Sequence, residues 1–189
     1  MRVIPIVFII TISWQSHAAI SLVKNNDASL MKTTIEDANK RGIVDIKIQE
    51  EQAFDVNEKN NNIGTIIPGK GFYKNYYPVC FISWSTDKKT ISNIVLSMGN
   101  GDFEFSQCEN LDAVGKIESA GKTFIGFVYS VGLPDDRTEK NYFLLELDKD
   151  KRTITDKSNI VETLQNTDEI KSITAIRKYL KENQSSIPD

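Results

Sequence analysis

The chain has 189 residues, 40% of them hydrophobic and 26% charged, with a formal net charge of −3, two cysteines and one histidine. That is enough apolar material for one buried core, and it argues against a nucleic-acid or anionic-membrane binder, which would reward basic patches. A lone histidine also leaves little room for imidazole-dependent catalysis or metal binding, and the mild acidity favours a cationic protein partner.

Taken in chain order, Arg2, the apolar run Val3–Trp14 and the small residues Ser16 and Ala18 form the pattern of a secretory signal peptide. The apolar core of about twelve residues fits the h-region and falls short of the ~20 that span a bilayer. Cleavage after Ala18 would make Ala19 the first mature residue and remove His17, the only histidine. It would also remove Arg2, lowering 23 basic residues to 22 against 26 acidic ones, a net charge of −4. No later segment reads as transmembrane, so no stable membrane insertion is expected.

Asp27 is placed to cap a helix over Ala28–Lys40, with Leu30, Met31, Ile35 and Ala38 on one face and Gly42 as its stop. Val44, Ile46 and Ile48 then alternate with Asp45, Lys47 and Gln49 as in a half-buried strand. Asn57–Asn62 reads as an exposed, flexible connection. Gly64 to Lys70 has the spacing of a phosphate-cradling loop, but Gly71 stands where magnesium needs Ser or Thr, and Phe72 to Pro78 starts no helix. Nucleotide binding is rejected on those grounds. Phe72, Tyr73, Tyr76 and Tyr77 place four aromatics within six residues, a density that suits protein interfaces and sugar-binding surfaces. An edge strand with Phe72, Lys74 and Tyr76 outward and Tyr73 and Tyr77 inward would instead fill ordinary core space.

A strand over Val79–Ser85 carries Cys80 and Trp84, and Asp87-Lys88-Lys89 turns the chain into Thr90–Met98. Gly99-Asn100-Gly101-Asp102 is a hairpin signal leading to Phe103 and Phe105. Ser85 and Lys88 fit the S-x-x-K pattern of penicillin-recognising enzymes, but Ser21 with Lys24, Ser29 with Lys32 and Ser119 with Lys122 fit equally well, and no K-T-G string exists. Cys80 and Cys108 pair by even count into one disulfide worth about 3–4 kcal/mol in the chain-entropy model. Their spacing rules out a C-x-x-C redox centre, and two cysteines without histidine make a poor metal site.

Thr123–Val131 and Asn141–Leu147 pair across the loop Leu133–Lys140, whose charged tip, Asp135 and Asp136, is then exposed. Asp148-Lys149-Asp150-Lys151 turns into Arg152–Thr155; Asp148, Asp150 and Asp156 suggest a calcium loop, but Arg152 and Thr153 occupy positions that such a loop needs for other residues. Asn166 with Glu169 resembles a capping pair for a C-terminal helix carrying Ile170, Ile173, Ile176 and Leu180. Gln184–Asp189 offers little to pack and reads as a disordered tail.

The expected architecture is one α+β domain over residues 19–183, following a signal peptide at 1–18. A central antiparallel sheet of about five to seven strands carries an N-terminal helix, a C-terminal helical segment and one disulfide. No catalytic residue, cofactor or metal is assigned. By exclusion, the expected function is a periplasmic or secreted protein-binding module, an inhibitor or immunity protein against a toxin or hydrolase. Its contacts are expected at Phe72, Tyr73, Tyr76, Tyr77, Asp135 and Asp136. Two other readings stand beside it: a cell-wall glycan hydrolase using paired carboxylates among Asp102, Glu104, Asp135 and Asp136, and an accessory component of an envelope assembly.

Overall fold

A computed structural model describes residues 19–97, 107–133, 137–166 and 172–186. The expected signal peptide, the hairpin at Gly99–Asp102 with Phe103, Glu104 and Phe105, and the loop residues Asp135 and Asp136 lie outside the described residues. The elements run β1 (Ile20–Lys24), α1 (Ala28–Lys40), β2 (Ile43–Ile48), β3 (Phe54–Glu58), β4 (Asn61–Tyr73), β5 (Tyr77–Ser85) and β6 (Asn93–Ser97). They continue as β7 (Gln107–Ser119), β8 (Lys122–Gly132), β9 (Thr138–Asp148), β10 (Thr153–Asp156) and α2 (Ile173–Glu182), with a 3₁₀ segment at Ser158–Asn166 before α2. The α+β class, the antiparallel pairing, both helices and the disulfide agree with the expectation. The strands divide into two sheets: a six-stranded one in the order β1-β3-β4-β5-β6, with β2 also pairing β4, and a four-stranded one in the order β10-β9-β8-β7.

Side-chain alternation stacks these parts as helix, sheet, sheet, helix. In β5, Cys80, Ile82 and Trp84 enter the core between the sheets, where they meet Ile125, Phe127, Phe143 and Leu145. Val79 and Phe81 point the other way and pack with Ala38 of α1. In β8, Phe124 and Val128 face outward and are covered by Ile176 and Leu180 of α2. Strands covered on both faces are apolar at nearly every position, which is why β5 and β8 read as continuous hydrophobic runs. Each such side chain contributes about 1.5–3 kcal/mol by leaving water.

Local chemistry sets the boundaries of α1. Asp27 Oδ1 accepts the amides of Ser29 at 2.9 Å and Leu30 at 3.1 Å, and Gly42 follows the last turn with φ +84°. At the other end of the chain the expected cap is corrected. Asn166 closes the 3₁₀ segment, and α2 starts only at Ile173, capped by Ser172, whose Oγ accepts Ala175 N–H at 3.1 Å. A serine in extended conformation directly before the helix satisfies an orphan amide, so it sets the start. Glu169 and Ile170 lie outside the described residues.

The asparagine-rich segment 57–62 is also corrected, because it forms a hairpin rather than a flexible connection. Asn57 and Glu58 end β3, Asn61 and Asn62 open β4, and Lys59 turns the chain at φ 56°. The Asn62 amide donates to Asn57 Oδ1 at 3.3 Å and to Gly64 O at 3.0 Å, which satisfies the polar side chains locally. The phosphate-loop lookalike lies within β4. Gly64 leaves room for the Trp84 ring and Gly69 for the Phe81 ring, so these glycines serve packing.

The way β7 meets the first sheet fixes how the two sheets lie. Cys108 is bonded to Cys80 of β5, and Lys70 of β4 donates to Glu109 O at 2.6 Å. Gln49, just past β2, accepts Leu111 N–H at 3.1 Å, and Gln52 donates to Asp112 O at 3.4 Å. Thus β7 crosses successive strands instead of running beside one. The same side chains satisfy three backbone groups on this end strand of the smaller sheet, which blunts it as a template for further pairing.

Candidate functional site

The aromatic cluster occupies the tip of the β4–β5 hairpin, not an edge strand. Tyr73 and Tyr77 are the last register pair, and Lys74, Asn75 and Tyr76 form the connection. Lys74 (φ 51°) and Asn75 (φ 69°) are both left-handed, a conformation that asparagine tolerates better than most residues. The reversal leaves Phe72, Tyr76 and Tyr77 at 39%, 62% and 51% of full exposure. Of the two residues expected to point inward, only Tyr73 packs, against Ala38, Ile43, Val79 and Phe81. Tyr77, its register partner, stays outside.

Within the tip the rings organise one another. Tyr76 and Tyr77 have centroids 4.2 Å apart at a 45° tilt, and the Lys74 ammonium stands 5.3 Å from the Tyr73 ring centre. A hydrogen bond with Tyr77, and the repulsion that two neighbouring phenolates would feel, push the Tyr76 hydroxyl above the ordinary tyrosine range. The tip thus joins the Lys74 ammonium to exposed aromatic rings.

Three connections hold it in place. Lys74 N–H donates to Gly42 O at 3.0 Å, and Ile43 and Val44 of β2 pair with Tyr73 and Phe72. The disulfide, with Cα atoms 5.5 Å apart, anchors Cys80, three residues from Tyr77. A surface held this way loses little conformational freedom on binding.

The second expected contact, the β8–β9 loop, is rooted at the same disulfide. Cys108 pairs in register with Val131, and Leu133 N–H closes the base of the loop on Arg137 O at 2.8 Å. Its tip residues Asp135 and Asp136 are outside the described residues, as are Asp102 and Glu104 of the paired-carboxylate reading.

Two polar clusters were invisible in the sequence. Asp55 accepts Lys88 Nζ at 2.7 Å, Thr65 Oγ1 at 2.8 Å and Asn25 Nδ2 at 2.9 Å. Burial opposes its ionisation, but the hydrogen bonds from Lys88, Thr65 and Asn25, with the Lys88 charge, outweigh that and hold it below the usual carboxylate range. Lys88 is thereby committed to Asp55. Ser85 Oγ accepts Lys88 N–H at 3.0 Å, so the S-x-x-K string is a turn. In the second cluster, Lys140 Nζ lies 2.7 Å from Asp112 Oδ2 and 2.8 Å from Ser130 Oγ, and Ser130 donates to the same carboxylate oxygen at 2.7 Å. Ion-paired lysine and donating serine cross-link β7, β8 and β9 rather than forming a nucleophile with a free base. Only strand register brings these residues together, which is why no spacing in the sequence announces them.

Asp148 Oδ1 accepts Lys151 N–H at 2.9 Å, so the calcium-loop lookalike is a β-turn. Among the described residues no group of three His, Cys, Asp or Glu is gathered to hold a metal, and no helix is long and apolar enough to cross a membrane. In comparisons with family models, curated proteins and solved structures, nothing matches the chain.

Proposed function

We propose that this chain is an exported module that binds another protein through the β4–β5 hairpin tip, as an inhibitor or immunity protein against a toxin or hydrolase. The observation that carries this reading is the joint exposure of Phe72, Tyr76 and Tyr77 on a hairpin that is otherwise firmly held. Tyrosine and phenylalanine supply large contact areas at small entropic cost, and such anchors dominate binding energy when a partner desolvates them. A disulfide at the base of the tip suits an oxidising compartment, in keeping with the signal-peptide pattern at the N-terminus.

The experiment is affinity recovery from the native host, using the exported protein and a Tyr76→Ala/Tyr77→Ala variant as parallel baits. One or a few proteins are expected to be recovered reproducibly with the parent and to be depleted at least roughly tenfold with the variant, whose circular dichroism should match the parent's. Equal recovery by both baits would dismiss the tip as the binding surface.

A further inference from the structure

The tip carries charge as well as aromatic surface. Lys74 lies in the connection itself. Its amide is bonded to Gly42 O, which brings the end of α1 alongside, with exposed Lys40 two residues before that glycine. On the neighbouring strand pair, exposed Lys47 stands opposite Lys70, two residues before Phe72. Lys40, Lys47 and Lys74 make no ion pair among the described residues, and Lys70 spends its ammonium on a neutral acceptor, Glu109 O. Arg41, by contrast, is neutralised by Asp37 at 2.7 Å. Among the described residues, β2 and β7 contribute the carboxylates of Asp45 and Glu109 beside these lysines, two acids against four ammonium groups in a chain of net charge −3.

An apolar step adjoins the cations. Val44, Phe72 and Pro78 form one cross-strand row, on the face that carries Lys70 and Cys80 towards the second sheet. Cys108 and Glu109 of β7 cover that face at the level of Cys80 and Lys70, and the row projects beyond them with Phe72 exposed and Val44 and Pro78 half-buried. Lys47 and Lys70 thus share the face of Phe72, while Lys40 and Lys74 flank the α1 side of the same tip, so positive charge borders its apolar groups on both sides.

We propose that the partner surface seated on this tip is acidic, a polypeptide segment that presents carboxylates next to apolar side chains. This deepens the protein-binding reading and rests on it. The carboxylates meet Lys40, Lys47, Lys70 and Lys74 while the apolar groups cover Phe72, Tyr76 and Tyr77. The local charge thus reverses the cationic partner that the net charge of the whole chain favours, since a contact feels the field within about a Debye length rather than the molecular total.

The test titrates the chain from Ala19 onward, labelled with ¹⁵N, with a random glutamate–alanine copolymer. Parallel arms use a lysine–alanine copolymer, vesicles of phosphatidylcholine with phosphatidylglycerol, and a single-stranded oligothymidylate. Saturable shifts are expected at residues 40–47 and 70–78 with the acidic copolymer only. They should weaken roughly tenfold in a Lys40→Gln/Lys47→Gln/Lys74→Gln variant and fade with added salt. Equal response to the lysine copolymer, response to vesicles or oligonucleotide without the acidic copolymer, or an unchanged triple variant would overturn the inference. The two readings fail separately: a partner recovered from the host that survives the lysine changes but not Tyr76→Ala/Tyr77→Ala leaves protein binding standing and removes only its acidic character.

Discussion

Asp55 shows how a single residue organises its surroundings. Its carboxylate gathers the chain before α1, strand β4 and the turn after β5 through Asn25, Thr65 and Lys88. Asp55→Ala strands three donors at once and should cost about 2–3 kcal/mol in denaturant unfolding. Asp87 acts more locally. Backbone amides of Thr90 and Lys89 and the Thr90 hydroxyl hold its pKa at about 2, against an ordinary 3.8. A folded-state value below the unfolded one stabilises above the unfolded pKa and is lost as pH falls through the folded one. The melting-temperature gap between the parent and Asp87→Ala should therefore be largest above about pH 4 and close towards pH 2. Gly64 makes the opposite kind of contribution, through what it lacks. A Cβ there would run into the Trp84 ring, so Gly64→Ala should cost about 1–3 kcal/mol of unfolding free energy.

At the scale of elements the disulfide does the most for the least chain. It closes a separation of 28 residues, for which loop-closure entropy gives about 3–4 kcal/mol. Cys80→Ser/Cys108→Ser should lower the melting temperature by roughly 7–14 °C, measured by differential scanning calorimetry. Elements with strong local signals were legible: α1 from its cap and stop, β2 from alternation, and β5, β8 and β9 as apolar runs between turns. Strands whose identity depends on neighbours were not. Asn61–Tyr73 carries glycines, a proline and asparagines that argue against a strand, and it becomes β4 because Gly64 and Gly69 admit rings from β5. Likewise β7 begins beyond the last clear turn signal and alternates poorly, because bulges interrupt its register between Cys108 and Asn110 and between Leu111 and Ala113.

For the whole molecule, the four layers explain why the hairpin tip is available. α1 covers one face of the larger sheet and the second sheet covers the other, but both stop short of Tyr76 and Tyr77, leaving the end of the β4–β5 hairpin bare. The aromatic density at 72–77 was plain in the sequence, whereas its position at a hairpin end and its fringe of lysines required strand pairing to appear. Site-specific photocrosslinking asks whether this end of the molecule touches a partner protein. A benzophenone residue replaces Tyr76 in the exported protein, and another replaces Lys151, an exposed residue in the β9–β10 turn. Irradiation in the native host should give a discrete protein adduct from position 76 and none from 151. No adduct from position 76, or the same adducts from both positions, would rule out partner binding at the hairpin tip.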